Sequence, residues 1–157
     1  MHINPDHYLQ TKQGRVISPK LNEKAWLCCF QALQDALSSA TIKNTYLLIG
    51  CQASGKSTWA EQHLALHPND LIFDAILVKK SERKPILTLI KRANLPCTAV
   101  WFQLPLELCL IRNALRAPDE KVNVQGLINV HGALEAPSLE EGFDHILDVY
   151  KTCTKLT

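Results

Sequence analysis

An α/β fold in three layers, with a short and mainly parallel sheet between helices, is what this sequence predicts. Two observations carry the prediction. From Thr45 onward, short apolar segments alternate with longer segments of helical periodicity. The first of those apolar segments, "TYLLI", runs straight into the spacing G-x-x-x-x-G-K-S at Gly50–Ser57, after which a helix begins. Strands that alternate with helices require crossover connections, and crossovers join parallel strands. At 157 residues the chain is long enough for one well-packed domain and too short for two.

The elements follow in order. Residues 1–18 are rich in polar and turn-forming types and read as an arm or irregular lead-in. Ser18-Pro19 then marks a helix start, with serine as the cap and proline in the first turn. Leu21, Ala25, Cys28, Cys29, Ala32, Leu33, Ala36 and Leu37 recur at helical spacing, which predicts one amphipathic helix to about residue 39. "TIKN" connects this N-terminal unit, residues 1–44, to a core of residues 45–157. Within the core, "TYLLI", "LIFDA", "CTAVWFQL" and "HILDVY" are the expected strands. Lys56 to about Leu66, "SERKPILTLIKRAN", "PLELCLIRNALR" and "VQGLINVHGAL" are the expected helices. Pro85 fits the second of these if it lies in the first turn. No internal repeat and no low-complexity tract interrupts the pattern.

Composition narrows the function. A hydrophobic content of 46% with 20% charged residues describes an ordinary soluble globular chain. The net charge of +2 is too small to argue for nucleic acid by itself, and aromatics at 6% leave few side chains on which bases could stack. The six cysteines, Cys28, Cys29, Cys51, Cys97, Cys109 and Cys153, form no C-x-x-C and no pairing with closely spaced histidines. The N-terminus has no apolar leader, and no apolar run approaches the roughly 18 residues that a membrane span needs. A reduced, cytoplasmic protein without a membrane partner is expected, its cysteines serving mostly as small core residues.

The loop carries the chemistry. Its glycines let consecutive backbone N–H groups turn inward, and the following helix offers unpaired amides and the positive end of its dipole to an anion. Gly50, Ala53, Ser54, Gly55, Lys56, Ser57 and Thr58 are therefore the expected phosphate cradle. Lys56 would reach the β- and γ-phosphates and the Ser57 hydroxyl would complete a magnesium shell. The competing reading is a Gly-Ser turn that happens to precede a lysine. The strand before and helix after favour the phosphate loop. Cys51, inside it, reads as a filler.

Three other features sit beside bland alternatives. Asp74 ends "LIFDA", where C-terminal strand ends line the ligand crevice of such sheets. It is expected to help hold Mg2+ or to accept the proton of an attacking hydroxyl; the alternative is a loop cap. Arg112 and Arg116, four apart in "LIRNALR", would share a helix face and close over a triphosphate, against a solvated basic face. "VKKSERK" gathers Lys79, Lys80, Arg83 and Lys84, either to draw in an anion or as a solvated helix start. Glu140 and Glu141 before Gly142 suggest a capping turn, and the histidines lack metal-ligand spacing, so no zinc site is expected.

With these pieces in place the chain resembles the P-loop kinase group that includes polynucleotide 5′-kinases and the zeta-toxin-like kinases. The resemblance runs from about Tyr46 to Val149 and rests on "LLIGCQASGKSTWA", on "RNALR" after "VWFQLPLE", and on "LEAPSLEEGFD". It implies the P-loop NTPase/kinase fold, with Mg2+ and ATP as cofactors. In polynucleotide kinases an "RN-x-x-R" segment lies in the lid over ATP, which makes Arg116, and after it Arg112, ATP-phosphate contacts. The chain also departs from the pattern. Such kinases carry an Asp-x-x-Arg strand, then helical segments, then a further strand ending in Asp, whereas only one strand fits here between the loop helix and "SERKP". Asp74 aligns with either aspartate. Matched to the first, it is the general base; matched to the second, slightly favoured by the order of elements, the usual base is deleted.

The leading expectation is an ATP-dependent phosphotransferase with Lys56, Asp74 and Arg116 in catalytic roles. Its acceptor is a hydroxyl, on a polynucleotide 5′-end or on a small metabolite. The alternatives are a slow ATPase and a nucleotide-binding module that has lost its acceptor site. In the module the N-terminal helix serves a protein partner or a second copy in a homo-oligomer.

Overall fold

Buried alternation sets the sheet. In a computed structural model of the chain, which describes residues 1–11, 14–15 and 18–150, five parallel strands lie in the order β1-β5-β4-β6-β7. These are β1 (His2–Ile3), β4 (Thr45–Ile49), β5 (Leu71–Asp74), β6 (Cys97–Trp101) and β7 (His145–Asp148). Central β4 pairs with β5 through Leu48↔Asp74 and with β6 through Ile49↔Trp101. Leu47, Ile49, Phe73, Ala99 and Trp101 face one side of the sheet, while Leu48, Ile72 and Val100 face the other. Both sets are buried, as a parallel sheet covered by helices on both faces requires.

Helices complete the layers. On the first face lie α2 (Pro19–Leu37), through Cys29, Leu33 and Ala36, and α4 (Lys80–Arg92), through Ile86, Leu87 and Ile90. On the second lies α3 (Lys56–Leu66), through Ala60 with Trp59 and Leu64 beside it. A third cluster of Cys51, Leu104, Cys109 and Leu127 joins the loop after β4 to α5 (Leu106–Ala114) and α6 (Val124–Ala133). The predicted cap of α2 is present, the Ser18 hydroxyl accepting from the Leu21 N–H at 3.3 Å with Pro19 at the first helical position. The fold class is the one the sequence predicts.

Four local differences bear on the site. The segment read as an irregular lead-in contains β1, a short helix α1 (Asp6–Leu9) and a hairpin of β2 (Gln10–Thr11) and β3 (Gly14–Arg15). β1 joins the main sheet at its edge, pairing His2↔Ile72 and Ile3↔Phe73. Pro85 is the sixth residue of α4 rather than part of its first turn, so the helix runs on without the hydrogen bond that residue's missing N–H would have made. α5 ends at Ala114 with Leu115 as C-cap, so Arg116 lies beyond the helix and does not share a helical face with Arg112. Finally, Arg83 is not part of a solvated cluster. It is fully buried, pairs with Glu141 at 2.7 and 2.9 Å, and donates to the carbonyls of Leu77 and Glu135. Lys79, Lys80 and Lys84 stay exposed.

Candidate functional site

The loop from Gly50 to Gly55 leaves the C-terminal end of β4 and enters α3 at Lys56, on the edge of the sheet where β5 and β6 also end. The local sequence forces a tight path. An ideal Cβ on Gly50 would lie 2.8 Å from the Phe102 Cβ and 2.9 Å from the Ser54 Oγ, so only glycine fits. Gly55 has φ +97° and caps α3 from the left-handed region. Ala53 holds φ +60°, an uncommon conformation for a residue with a side chain, of the kind that clusters at ligand-binding loops.

Inside the loop, Lys56 is buried and its Nζ donates to the carbonyls of Gly50 at 2.9 Å and Cys51 at 2.8 Å. Burial lowers its pKa, opposed by the charge of Asp74. The Ser54 hydroxyl is buried with no hydrogen-bond partner among the described residues. A buried donor left this way costs free energy unless a ligand supplies an acceptor, and a phosphate oxygen is a fitting one. Ser57 and Thr58, at the helix start, are exposed beside the loop.

Asp74 ends β5 directly beside β4, and it is nearly inaccessible at 2% exposure. Its Oδ2 accepts from the Ser57 hydroxyl at 2.7 Å and from the Asn4 amide at 3.0 Å, and lies 3.2 Å from the His2 Nε2. Burial alone would raise the Asp74 pKa. The His2 hydrogen bond, the Lys56 charge and the Ser57 hydrogen bond outweigh it, and the net direction is down, so the carboxylate stays ionised. An ionised carboxylate and a hydroxyl oxygen in contact are the hard oxygen donors that Mg2+ takes, with water and phosphate oxygens completing its shell. The residues present fit that ion.

Two arginines approach from the other side. An ideal Cβ on Gly55 would lie 3.6 Å from the Arg112 Nη1, which puts that guanidinium against the loop. Arg112 donates to the Tyr150 hydroxyl at 3.3 Å, and that hydroxyl donates to the Ser54 carbonyl at 2.8 Å. Arg116 pairs with Glu120 at 3.7 Å and lies near enough to Lys56 to lower its pKa. The stretch between α5 and α6 is closed by Asn113, whose buried side chain donates to the Val122 carbonyl at 2.8 Å and accepts from the Val122 N–H at 3.0 Å. Of the sequence candidates, the loop residues, Asp74 and Arg112 meet in one place, with Arg116 close by. His2, Asn4 and Tyr150 are the additions. No motif marks them, because His2 lies in a two-residue strand, Asn4 follows it directly, and Tyr150 comes from just beyond β7.

A parallel sheet, a G-x-x-x-x-G-K-S loop between its central strand and a helix, and an acidic side chain on the next strand in contact with the loop's serine together decide the architecture. The chain has a P-loop NTPase fold. Residues 65–136, which begin at the end of α3 and run through α6, match a family model described as an AAA domain. The matched stretch carries Asp74, Arg112 and Arg116 and excludes the P-loop, which stands on its own motif and geometry. No curated protein sequence matches the chain. Of the described cysteines, Cys29, Cys51, Cys97 and Cys109 are buried and all five are free thiols; Cys153 lies outside the described residues. No described helix is long and apolar enough to cross a membrane.

Proposed function

We propose that the protein is an ATP-dependent phosphotransferase that passes the γ-phosphate of Mg·ATP to a hydroxyl acceptor. The observation that carries the reading is the 2.7 Å contact between the Ser57 hydroxyl and the Asp74 carboxylate, which ties the P-loop to the end of the neighbouring strand. That pairing favours Asp74 as a group that orients Mg2+ over Asp74 as general base. A buried carboxylate with a lowered pKa is a poor proton acceptor at neutral pH and a good ligand for a hard cation.

The residues divide the work accordingly. Gly50, Ala53, Ser54, Gly55 and Thr58 hold the phosphates through backbone amides and hydroxyls. Lys56 exchanges the carbonyls of Gly50 and Cys51 for the β- and γ-phosphates. Bound Mg2+ supplies neutralisation of the charge on those phosphates, with Ser57 and Asp74 as its protein-side partners. Arg112 and Arg116 close over the phosphates and offset charge at the transferred group, so that positioning and electrostatics supply most of the rate. The AAA domain family matched over residues 65–136 includes kinases, which supports a nucleotide-dependent enzyme. The acceptor belongs to the hydroxyl class, a polynucleotide 5′-end on the resemblance of "RNALR" and "LEAPSLEEGFD", or a small metabolite.

The test is transfer of label from γ-labelled Mg·ATP, offered with 5′-hydroxyl DNA and RNA oligonucleotides and with a metabolite extract. Label on an acceptor, lost in Lys56→Ala, establishes the kinase and names its substrate. ATP binding without transfer reduces the protein to a nucleotide-binding module, and ATP affinity untouched by Lys56→Ala removes the P-loop reading itself.

A further inference from the structure

The first residues of the chain reach the same carboxylate as the P-loop. β1 runs parallel to β5 in the register His2↔Ile72 and Ile3↔Phe73, so Asn4, one residue past the end of β1, arrives level with Asp74 at the end of β5. His2 and Asn4, two apart, point to one face, while Ile3 points into the core beside Phe73. Asn4 is only 8% exposed, and its amide has one orientation available. Its Oδ1 accepts from the Asp6 N–H at 2.9 Å, which turns Nδ2 to donate to the Asp74 Oδ2 at 3.0 Å.

Besides its backbone pairing and the buried Ile3, this short segment sets two side chains, His2 and Asn4, against one oxygen of an acidic residue in the candidate site. Farther along, the β2–β3 hairpin brings Gly14 against the Asp119 side chain in the stretch between α5 and α6.

We propose that Asn4 is a positioning residue for Mg·nucleotide binding, fixing the Asp74 carboxylate so that it meets the metal beside Ser57 without rearranging. The inference rests on the reading of Asp74 and Ser57 as the metal-side pair. A carboxylate that is already oriented loses no rotamer freedom when the cation binds, and partners that orient a ligand group are typically worth about 10- to 100-fold in metal affinity. Asn4 never touches phosphate or acceptor in this account; it acts through Asp74.

The experiment is calorimetric titration of the full chain with ATP, once in excess MgCl2 and once in EDTA, for wild type, Asn4→Ala and Asn4→Leu. Leucine nearly matches the shape of asparagine and removes only the polar contacts, so it answers if the alanine variant does not fold. Wild type is expected to bind ATP more tightly with Mg2+. Both variants are expected to lose about tenfold or more of that enhancement while ATP affinity in EDTA stays unchanged. The proposal falls if the variants keep the full Mg2+ enhancement or lose affinity equally in both buffers. It falls also if neither variant folds, which would make Asn4 a structural strut. A wild type that binds ATP with no Mg2+ enhancement would instead remove the metal reading of Asp74 and this proposal with it.

Discussion

The Ser57 hydroxyl donates to Asp74 across 2.7 Å, joining the start of α3 to the end of β5. The same contact separates two chemical roles for Asp74. Asp74→Asn keeps shape and hydrogen-bonding capacity but removes the charge, so a metal-orienting carboxylate should lose turnover by about a hundredfold or more. ATP affinity in EDTA should fall far less than turnover, because the loop amides meet the phosphates whatever the charge on Asp74, even though Lys56 loses the support of that charge. Single-turnover transfer together with calorimetry checks both halves. Unchanged turnover would end the catalytic assignment.

Gly50 tests the loop by sterics rather than charge. In Gly50→Ala the new methyl group would meet the Phe102 Cβ at 2.8 Å and the Ser54 Oγ at 2.9 Å, and the former is held in the core. Something must move, and the Ser54 side of the loop, whose hydroxyl has no hydrogen-bond partner among the described residues, is the softer side. The expected result is loss of ATP binding together with about 1–3 kcal/mol of stability, the usual cost of overpacking a filled site. Nucleotide titration and urea unfolding of one variant read out both.

The pair Arg83–Glu141 should behave as a structural clasp, independent of ATP. Arg83 is wholly buried and its guanidinium is satisfied by Glu141 and by carbonyls of the loop after β5 and the segment after α6. Removing one partner strands the other charge, so Glu141→Leu should cost about 3–5 kcal/mol in urea unfolding. The double variant Arg83→Met/Glu141→Leu should recover much of that loss, because it strands no charge. A surface ion pair would give neither result, being worth about 1 kcal/mol at most.

What the sequence disclosed was local. β4, the P-loop and α3 are adjacent in the chain, and their signals, an apolar run, fixed glycines and a helix start, are each readable within a few residues. Ser18-Pro19 disclosed α2 for the same reason. The unreadable parts depend on distant partners. β1 has two residues, too few for any periodicity, and becomes a strand only because β5, about 70 residues later, offers it an edge. Arg83 reads either as part of an anion-drawing cluster or as part of a solvated helix start because Lys79, Lys80 and Lys84 lie close to it in sequence, while its carboxylate is 58 residues away. Arg112 and Arg116 looked alike on a 3.6-residue period, but α5 stops at Ala114 and separates them. Asp74 lies between the two cases. Its place at a strand end was legible, whereas its contacts with His2 and Asn4 were not.

The cysteines give a prediction for pH that needs no ligand. Burial pushes the thiols of Cys29, Cys97 and Cys109 up to about 12, where an unperturbed thiol sits near 9. At neutral pH these three remain protonated in the folded protein and should resist alkylation, while the half-buried Cys28 is the first of the described thiols to react. The same shift links stability to pH. The unfolded chain releases these protons as pH passes about 9, and the folded chain keeps them until about 12. The stabilisation is therefore complete below the lower value and drains away as pH climbs toward the upper one. Urea midpoints should fall between about pH 8 and about pH 10, and Cys97→Ala should show a shallower fall than wild type despite its lower starting stability. An equal slope in both proteins would mean that Cys97 does not contribute to the alkaline loss.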